Sequence, residues 1–368
     1  MNLSIYKCFL ILLTTYSTVC CNSIISNSNE VQKLKETDLN KLKLKGKVFS
    51  VIETSYEAIP NFQEINKGDR KRSSSRDYKK TFNTAGNLVE NIQYKLDGSI
   101  YSKRVYSYDE QNQLVSYDLY NYQGKKVIHK TYEYDEDGNK TIMESRSAGQ
   151  NEKFIYSYNN GLLFKLTSYM DEEKHSLTTY KYDQNDSLIE SVYHNKKENS
   201  LFGSEGVRKV YSRNNLGFIE AETSSTIEGE EIKRITYTYR NKKLIKKLKT
   251  SHFTGSNDLT EYEYYNNNVL KEVRSYDDYS IRKKITHDSK MNVKSKANEI
   301  HYTSLSVKRF DFNSNLEYYM TKARSSRQGK TRWFENTYDE TGNLSSWIEY
   351  ESVNPKYIVE REIKYNDD

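Results

Sequence analysis

One phrase returns along the chain: YSYDEQN at residues 106–112, YEYDEDGN at 132–139 and YDETGNL at 338–344. Anchoring each copy on the second aromatic of Tyr-x-Tyr gives the series Phe82, Tyr108, Tyr134, Tyr158, Tyr182, Arg213, Tyr239, Tyr264, His287, Phe312, Tyr338 and Tyr365. Successive anchors lie 23 to 31 residues apart. A period in the twenties held over this distance marks a repeat array. Arg213 and His287 mark degenerate copies, YSRNNLGF and THDSKMNV. The one long gap holds KKENSLFGSEG, residues 196–206, which reads as a loop insertion.

Each copy has the grammar of a hairpin. Tyr106 and Tyr108 stand two apart, on one face of a strand. The following DEDGN or DETGN supplies the residues that tolerate the positive φ of tight turns. An aliphatic residue then enters a second strand six positions after the anchor, as at Leu88, Leu114, Leu188, Ile219, Leu270, Val293 and Leu344. LDGS, residues 96–99, is the turn into the next copy. The expectation is an all-β fold of tandem antiparallel hairpins, about 25 residues each, joined into one long curled or spiral sheet. Only 2 prolines occur, consistent with central strands that keep their ladder donors.

Composition matters at this point, because only 35% of residues are hydrophobic and 29% are charged. Such a chain reads as disordered unless something else packs. The 34 tyrosines fill that place, since a phenol ring can be buried while its hydroxyl reaches a partner. Cross-strand aromatic pairs contribute about 0.2–1 kcal/mol each, so stability is a sum of many small contributions. The anchor aromatics are therefore read as mainly structural.

The domain plan follows in order: a leader at 1–21, a polar tether at 22–46, a first strand and basic loop at 47–77, and the array at 78–368. EVQKLKETDLNKLKLKG, residues 30–46, is compatible with one short amphipathic helix. KGDRKRSSSRDYKK, residues 67–80, reads as a solvated loop, and the net charge of +6 is spread along the chain. No nucleic-acid partner is expected.

The leader MNLSIYKCFLILLTTYSTVCC has Lys7 ahead of an apolar run too short to span a bilayer. It resembles a bacterial lipoprotein signal, with Cys20 or Cys21 as the acylated residue. That resemblance implies export, a membrane partner through an N-terminal lipid, and a cell-envelope address, the outer membrane first. Cys8, Cys20 and Cys21 are the only cysteines, so residues 22–368 hold no disulfide, catalytic thiol or cysteine-ligated metal.

The copies YSYDEQNQL, YEYDEDGNK, YKYDQNDSL and NTYDETGNL resemble the YD repeat of bacterial Rhs-type proteins, here in a short, repeat-only lipoprotein form. In that family the repeats wind a sheet into a hollow shell around a C-terminal toxin. Here the repeats run to IKYNDD, and the proline-containing self-cleavage motif is missing. The resemblance therefore implies a curled sheet and an envelope location without encapsulation, a dozen repeats being too few to close the large shell.

Motifs for chemistry are sparse. His129, His175, His194, His252, His287 and His301 show no pair at three or four residues, so no zinc site is expected. Asp135, Asp137 and Asn139 begin like a calcium loop, but the twelfth position is Arg146 instead of Glu. No nucleophile elbow or phosphate loop occurs. We expect no enzyme, no cofactor and no metal, but a binding or scaffold surface for a glycan, a peptide or an envelope protein. The alternative is a component of a toxin/immunity system derived from Rhs-type shells.

Overall fold

The structure, a computed structural model, describes residues 36–62, 64–73, 77–195, 206–252, 254–287, 293–326 and 329–366. The leader with Cys8, Cys20 and Cys21, and nearly all of the insertion at 196–206, lie outside the described residues.

A short helix, α1 (Asp38–Lys41), precedes β1 (Val48–Asn61) and β2 (Glu64–Arg70). Hairpins then follow one another: β3 (Tyr78–Phe82) with β4 (Leu88–Tyr94), β5 (Ile100–Tyr108) with β6 (Leu114–Tyr120), and β7 (Lys126–Tyr134) with β8 (Lys140–Ser147). Next come β9 (Gln150–Asn159) with β10 (Leu162–Met170), β11 (Glu173–Tyr182) with β12 (Leu188–Asn195), and β13 (Gly206–Arg213) with β14 (Ile219–Thr226). The series continues through β15 (Glu231–Arg240), β16 (Lys243–Ser251), β17 (Asn257–Tyr264), β18 (Leu270–Asp277), β19 (Ser280–His287) and β20 (Val293–His301). It finishes with β21 (Ser304–Phe310), β22 (Leu316–Ala323), β23 (Lys330–Tyr338), β24 (Leu344–Glu351) and β25 (Asn354–Tyr365).

The ribbon is not open, as expected from the sequence, but shut. Consecutive strands pair from β3 to β18, β18 pairs with β21, and pairing resumes to β25. Strand β1 then pairs with β25 on one edge and with β3 on the other, closing a barrel of 22 strands. Nine residue pairs knit β1 to β25, with Val51 opposite Ile363 and Glu53 opposite Arg361. Two free edges of matching length are more stable joined than exposed.

Two elements leave the wall. Strand β2 pairs with the far half of β1, so Lys67–Arg70 of the basic run are strand and not the loop expected. Hairpin β19–β20, built on the degenerate His287 copy, forms its own two-stranded sheet while β18 and β21 meet behind it.

The turns explain the repeat phrase. Asp109 N donates to Gln113 O, Asn112 N donates to Asp109 O, and Gln113 N donates to Asp109 Oδ1 at 2.7 Å. Asn112 takes a φ of 57°, which makes a type I turn with a G1-type bulge and shifts the register between Ser107 and Tyr108. The same arrangement recurs at Asn83, Asp135, Asp183, Asn214, Asp311 and Asp339. The Asp of the phrase is thus a turn acceptor, and its Gly or Asn is the left-handed residue. At residues 160–161 and 241–242 a two-residue turn with both φ values positive replaces this loop.

A closed sheet of this size is hollow. At about 4.8 Å per strand and a tilt of 35–45°, a circular wall is roughly 40 Å or more across its backbone. Opposite walls do not touch, so among the described residues only 11 hydrophobic side chains are buried. The one apolar cluster joins Leu39, Val48, Val51 and Phe82, with Leu44, Tyr78, Leu88 and Ile363 against it. The segment around α1 is pinned there. Leu39 N donates to Gly86 O at 3.1 Å, and Leu88 N donates to Asp38 Oδ2 at 2.9 Å. Lys45 N donates to Asn343 Oδ1 at 2.7 Å, and Lys43 Nζ donates to Ser314 O at 3.0 Å. This segment therefore ties together turns that the chain separates by more than 220 residues at one rim.

Candidate functional site

Cross-strand pairing sorts the wall into two faces. Tyr106 opposes Tyr117, Tyr117 opposes Lys130, and Lys130 opposes Ser145. Followed around the barrel, this face carries the anchor Tyr-x-Tyr pairs of the repeats, from Tyr106 and Tyr108 to Tyr262 and Tyr264. The residues between those tyrosines, Ser107, Glu133, Lys181, Thr238, Glu263 and Thr337, point the other way and are exposed. Side chains converge on the concave face of a closed sheet and diverge on the convex one. The half-buried tyrosine face therefore lines the lumen, and it is the face that Leu39 and Leu44 pack against.

The anchor tyrosines are tied down. Tyr108 Oη donates to Leu88 O at 2.9 Å, Tyr134 Oη to Leu114 O at 2.9 Å, and Tyr158 Oη to Lys140 O at 3.0 Å. Tyr182, Tyr239 and Tyr264 donate likewise to Leu163, Ile219 and Leu244, at 2.8–3.0 Å. In each case the acceptor is the carbonyl of the residue that opposes the previous copy's anchor, where the bulge has pulled the ladder out of step. A backbone acceptor that would lack a partner is satisfied by the next copy. In the degenerate copy Arg213 reaches the equivalent carbonyl at longer range, Nη2 donating to Leu188 O at 3.5 Å, while Nη1 donates to Gly217 O of its own turn at 2.9 Å. Tyr338 and Tyr365 donate instead to the turn carboxylates of Asp311 and Asp339.

Phe82 sits in the apolar cluster, whereas Phe312 is not at an anchor position. Phe310 opposes Leu316 in the register that Tyr108 holds to Leu114, and Phe312 lies in the turn, 66% exposed, stacked 4.2 Å from Tyr265. FDF offers two aromatics two apart, and period alone does not choose between them. The Asp at 311 and the aliphatic at 316 were the deciding signals.

A second tyrosine row lies one pleat further along the lumen, at Tyr106, Tyr132, Tyr156, Tyr180, Tyr211, Tyr237 and Tyr262. Burial pushes the Tyr106 phenol up to about 12, and lifts Tyr134, Tyr158, Tyr239, Tyr262 and Tyr264 above their ordinary value. Burial likewise lowers the Lys80 and Lys233 ammonium groups and raises Glu349. Lumenal lysines at Lys209, Lys233, Lys247 and Lys249 share the tyrosine face. From sequence they passed for ordinary mixed charge; their even spacing from Tyr237 and Tyr239 was the signal that assigns the face.

The outer face is a mosaic of aliphatic residues and ion pairs: Glu90 with Lys103 at 2.6 Å, Glu144 with Lys153 at 3.0 Å, and Asp118 with Lys126 at 2.8 Å. Glu190 meets both Lys181 and Arg208, whose hydrogen bonds hold its carboxyl below the usual range. A lipid-facing belt excludes such groups, each Lys or Arg costing about 2–4 kcal/mol at the midplane. This outer wall is built to face water.

Asp135 Oδ1 accepts from Asn139 N at 2.8 Å, which assigns the calcium-like DEDGN to turn formation. Among the described residues no group of three His, Cys, Asp or Glu side chains is placed to hold a metal. An open cleft of about 630 Å³ lies at the rim between residues 241–243 and 264–268.

No family model matches the chain, and no curated protein matches it. Among solved structures it is similar to a chain of TcdB2-TccC3-Cdc42 at 12% identity and TM-score 0.40, covering 88% of this chain and 18% of that one. It is similar to a porin-like protein from Bacteroides uniformis at 12% identity and TM-score 0.30, covering 86% and 98%. A chain of the Photorhabdus luminescens Tc holotoxin pore matches at 12% identity and TM-score 0.20, covering 77% and 19%. The chain spans about a fifth of the length of the toxin chains it matches. Likeness this faint carries no argument about function.

Proposed function

We propose that the protein is a non-catalytic binding scaffold of the bacterial cell envelope whose ligand surface is the lumenal wall. The observation that carries this reading is the second tyrosine row. Its rings are half-buried and rigidly spaced, and Tyr106, Tyr237 and Tyr262 show no hydrogen bond that ties the hydroxyl to the wall. Rigid rings of this kind grip a sugar face or an extended peptide by contact area with little loss of side-chain entropy. The anchor row, by contrast, is structural, its hydroxyls spent on the neighbouring copy. A water-facing outer wall agrees with attachment through the lipidated leader cysteine and not through the barrel itself.

Glycan arrays and envelope pull-downs with the full chain test the reading. Capture that falls on Tyr237→Ala or Tyr262→Ala, but not on the outer-face change Tyr120→Ala, is the expected result. Loss by Tyr120→Ala alone refutes the lumen as the ligand surface. Fractionation of Cys20→Ala and Cys21→Ala chains tests the anchor, which predicts release from the membrane fraction. The closed wall also favours the alternative, a toxin-system component whose lumen takes a protein segment; specific capture of a co-expressed toxin chain is the result that would put it first.

A further inference from the structure

One stretch of the lumenal wall is built unlike the rest. Lys209 on β13 opposes Ser224 on β14, and Ser224 opposes Lys233 on β15. Lys249 on β16 opposes Ile235, one pleat from Lys233, and Lys247 opposes Tyr237. Four amines thus converge on one side of the lumen, around a serine that is 4% exposed and whose Oγ has no hydrogen-bond partner. Buried hydroxyls are rarely left unpaired, and an unpaired one beside several cations points to an absent acceptor. The facing acids are too few for the amines. Asp258 pairs with Lys249 at 2.9 Å, and Glu222 neighbours Lys233 without forming an ion pair. Tyr211 and Tyr237 flank the group on β13 and β15.

We propose that Ser224, Lys209, Lys233 and Lys249 form a binding site for a phosphate group on a ligand that enters the lumen. Ser224 Oγ donates one hydrogen bond, and two or three ammonium groups close on the remaining oxygens as charge-assisted bonds. Lys247 stays free to meet a second negative charge. Burial lowers Lys233, and Lys209, Lys249 and Lys247 add to that against the pull of Glu222, so an arriving dianion relieves repulsion already present in the wall. The assignment rests on the lumen being the ligand surface and adds the chemical class of the ligand.

Titration calorimetry of the full chain with pyrophosphate, at fixed ionic strength, is the test, repeated with inorganic phosphate and a sugar phosphate monoester to separate free from esterified sources. Saturable binding is expected, weakened about tenfold by Lys233→Gln or Lys209→Gln and several-fold by Ser224→Ala, a change too small to unfold the wall. Absence of saturable binding in the unaltered chain overturns the site, as does an unchanged Kd in all three variants. If phosphate fails while tyrosine-dependent capture of glycan or peptide persists, the phosphate site falls and the lumenal reading stands.

Discussion

Removing the hydroxyl of Tyr264 isolates the repeat-to-repeat latch. Tyr264→Phe keeps the ring, its half-burial and its place beside Lys243, and deletes only the bond from Oη to Leu244 O at 2.9 Å. A side-chain bond to backbone contributes about 0.5–1.5 kcal/mol net, and the carbonyl left behind is near enough to water to recover part of that. We expect a loss of about 1 kcal/mol, or about 1.3 °C in Tm for a chain of this length. The control is Tyr262→Phe, two residues away on the same face with no latch, expected within about 0.3 kcal/mol of the parent. Replacing the latching tyrosines 108, 134, 158, 182, 239 and 264 together should cost about 6 kcal/mol, because neighbouring latches sit about 10 Å apart and add nearly independently. Urea unfolding followed by the fluorescence of Trp333 and Trp347 reads the effect far from the altered sites. Equal losses for Tyr264→Phe and Tyr262→Phe would show that ring packing, and not the hydroxyl, carries the tyrosine's contribution.

The remaining predictions concern pH and backbone. Because burial raises the lumenal phenols, their neutral form is favoured by folding; that stability is intact below pH ~10 and is lost as pH climbs toward the Tyr106 value of about 12, so alkaline unfolding should be steep and coincide with tyrosinate absorbance. Gly86→Ala should cost about 1–2 kcal/mol, since φ is +83° and the new Cβ would meet Leu39 Cδ1 at 3.1 Å, whereas Gly124→Ala, with open space around it, should show the backbone penalty alone. Asn343→Ala removes a 2% exposed amide that joins Lys45 N, Lys45 O and Tyr365 Oη, so amide exchange across residues 38–47 should accelerate while the distant β11–β12 hairpin stays protected.

What could be read from the sequence was local. Turn residues, strand alternation and the anchor tyrosines are each written within a few positions, and Asp109 with Asn112 fixes its turn wherever the hairpin ends up. Closure is a long-range property: nothing in one copy encodes the strand tilt or the number of copies that brings β25 beside β1. The basic run misled because Lys67, Arg70, Lys79 and Lys80 are strand residues, with Lys67 at a wet edge where it pairs with Glu360 at 3.0 Å. The His287 copy kept the hairpin pattern and lost the aromatic, and its hairpin forms a separate two-stranded sheet that the period alone does not announce. For the lumenal surface the alternation was legible and the concave side was not, since curvature decides which face becomes interior.

The pairing of β1 with β25 also sets a timetable. The first strand of the wall cannot find its permanent neighbour on that edge until synthesis has delivered the last, about 300 residues later. Until then the growing ribbon carries two unsatisfied margins, each able to recruit a foreign strand. Pairing across so long a separation is also slow to nucleate. Assembly of this protein is therefore a race between self-closure and misjoining, and the charged mosaic on its outer wall is what keeps unfinished ribbons apart while the race is run.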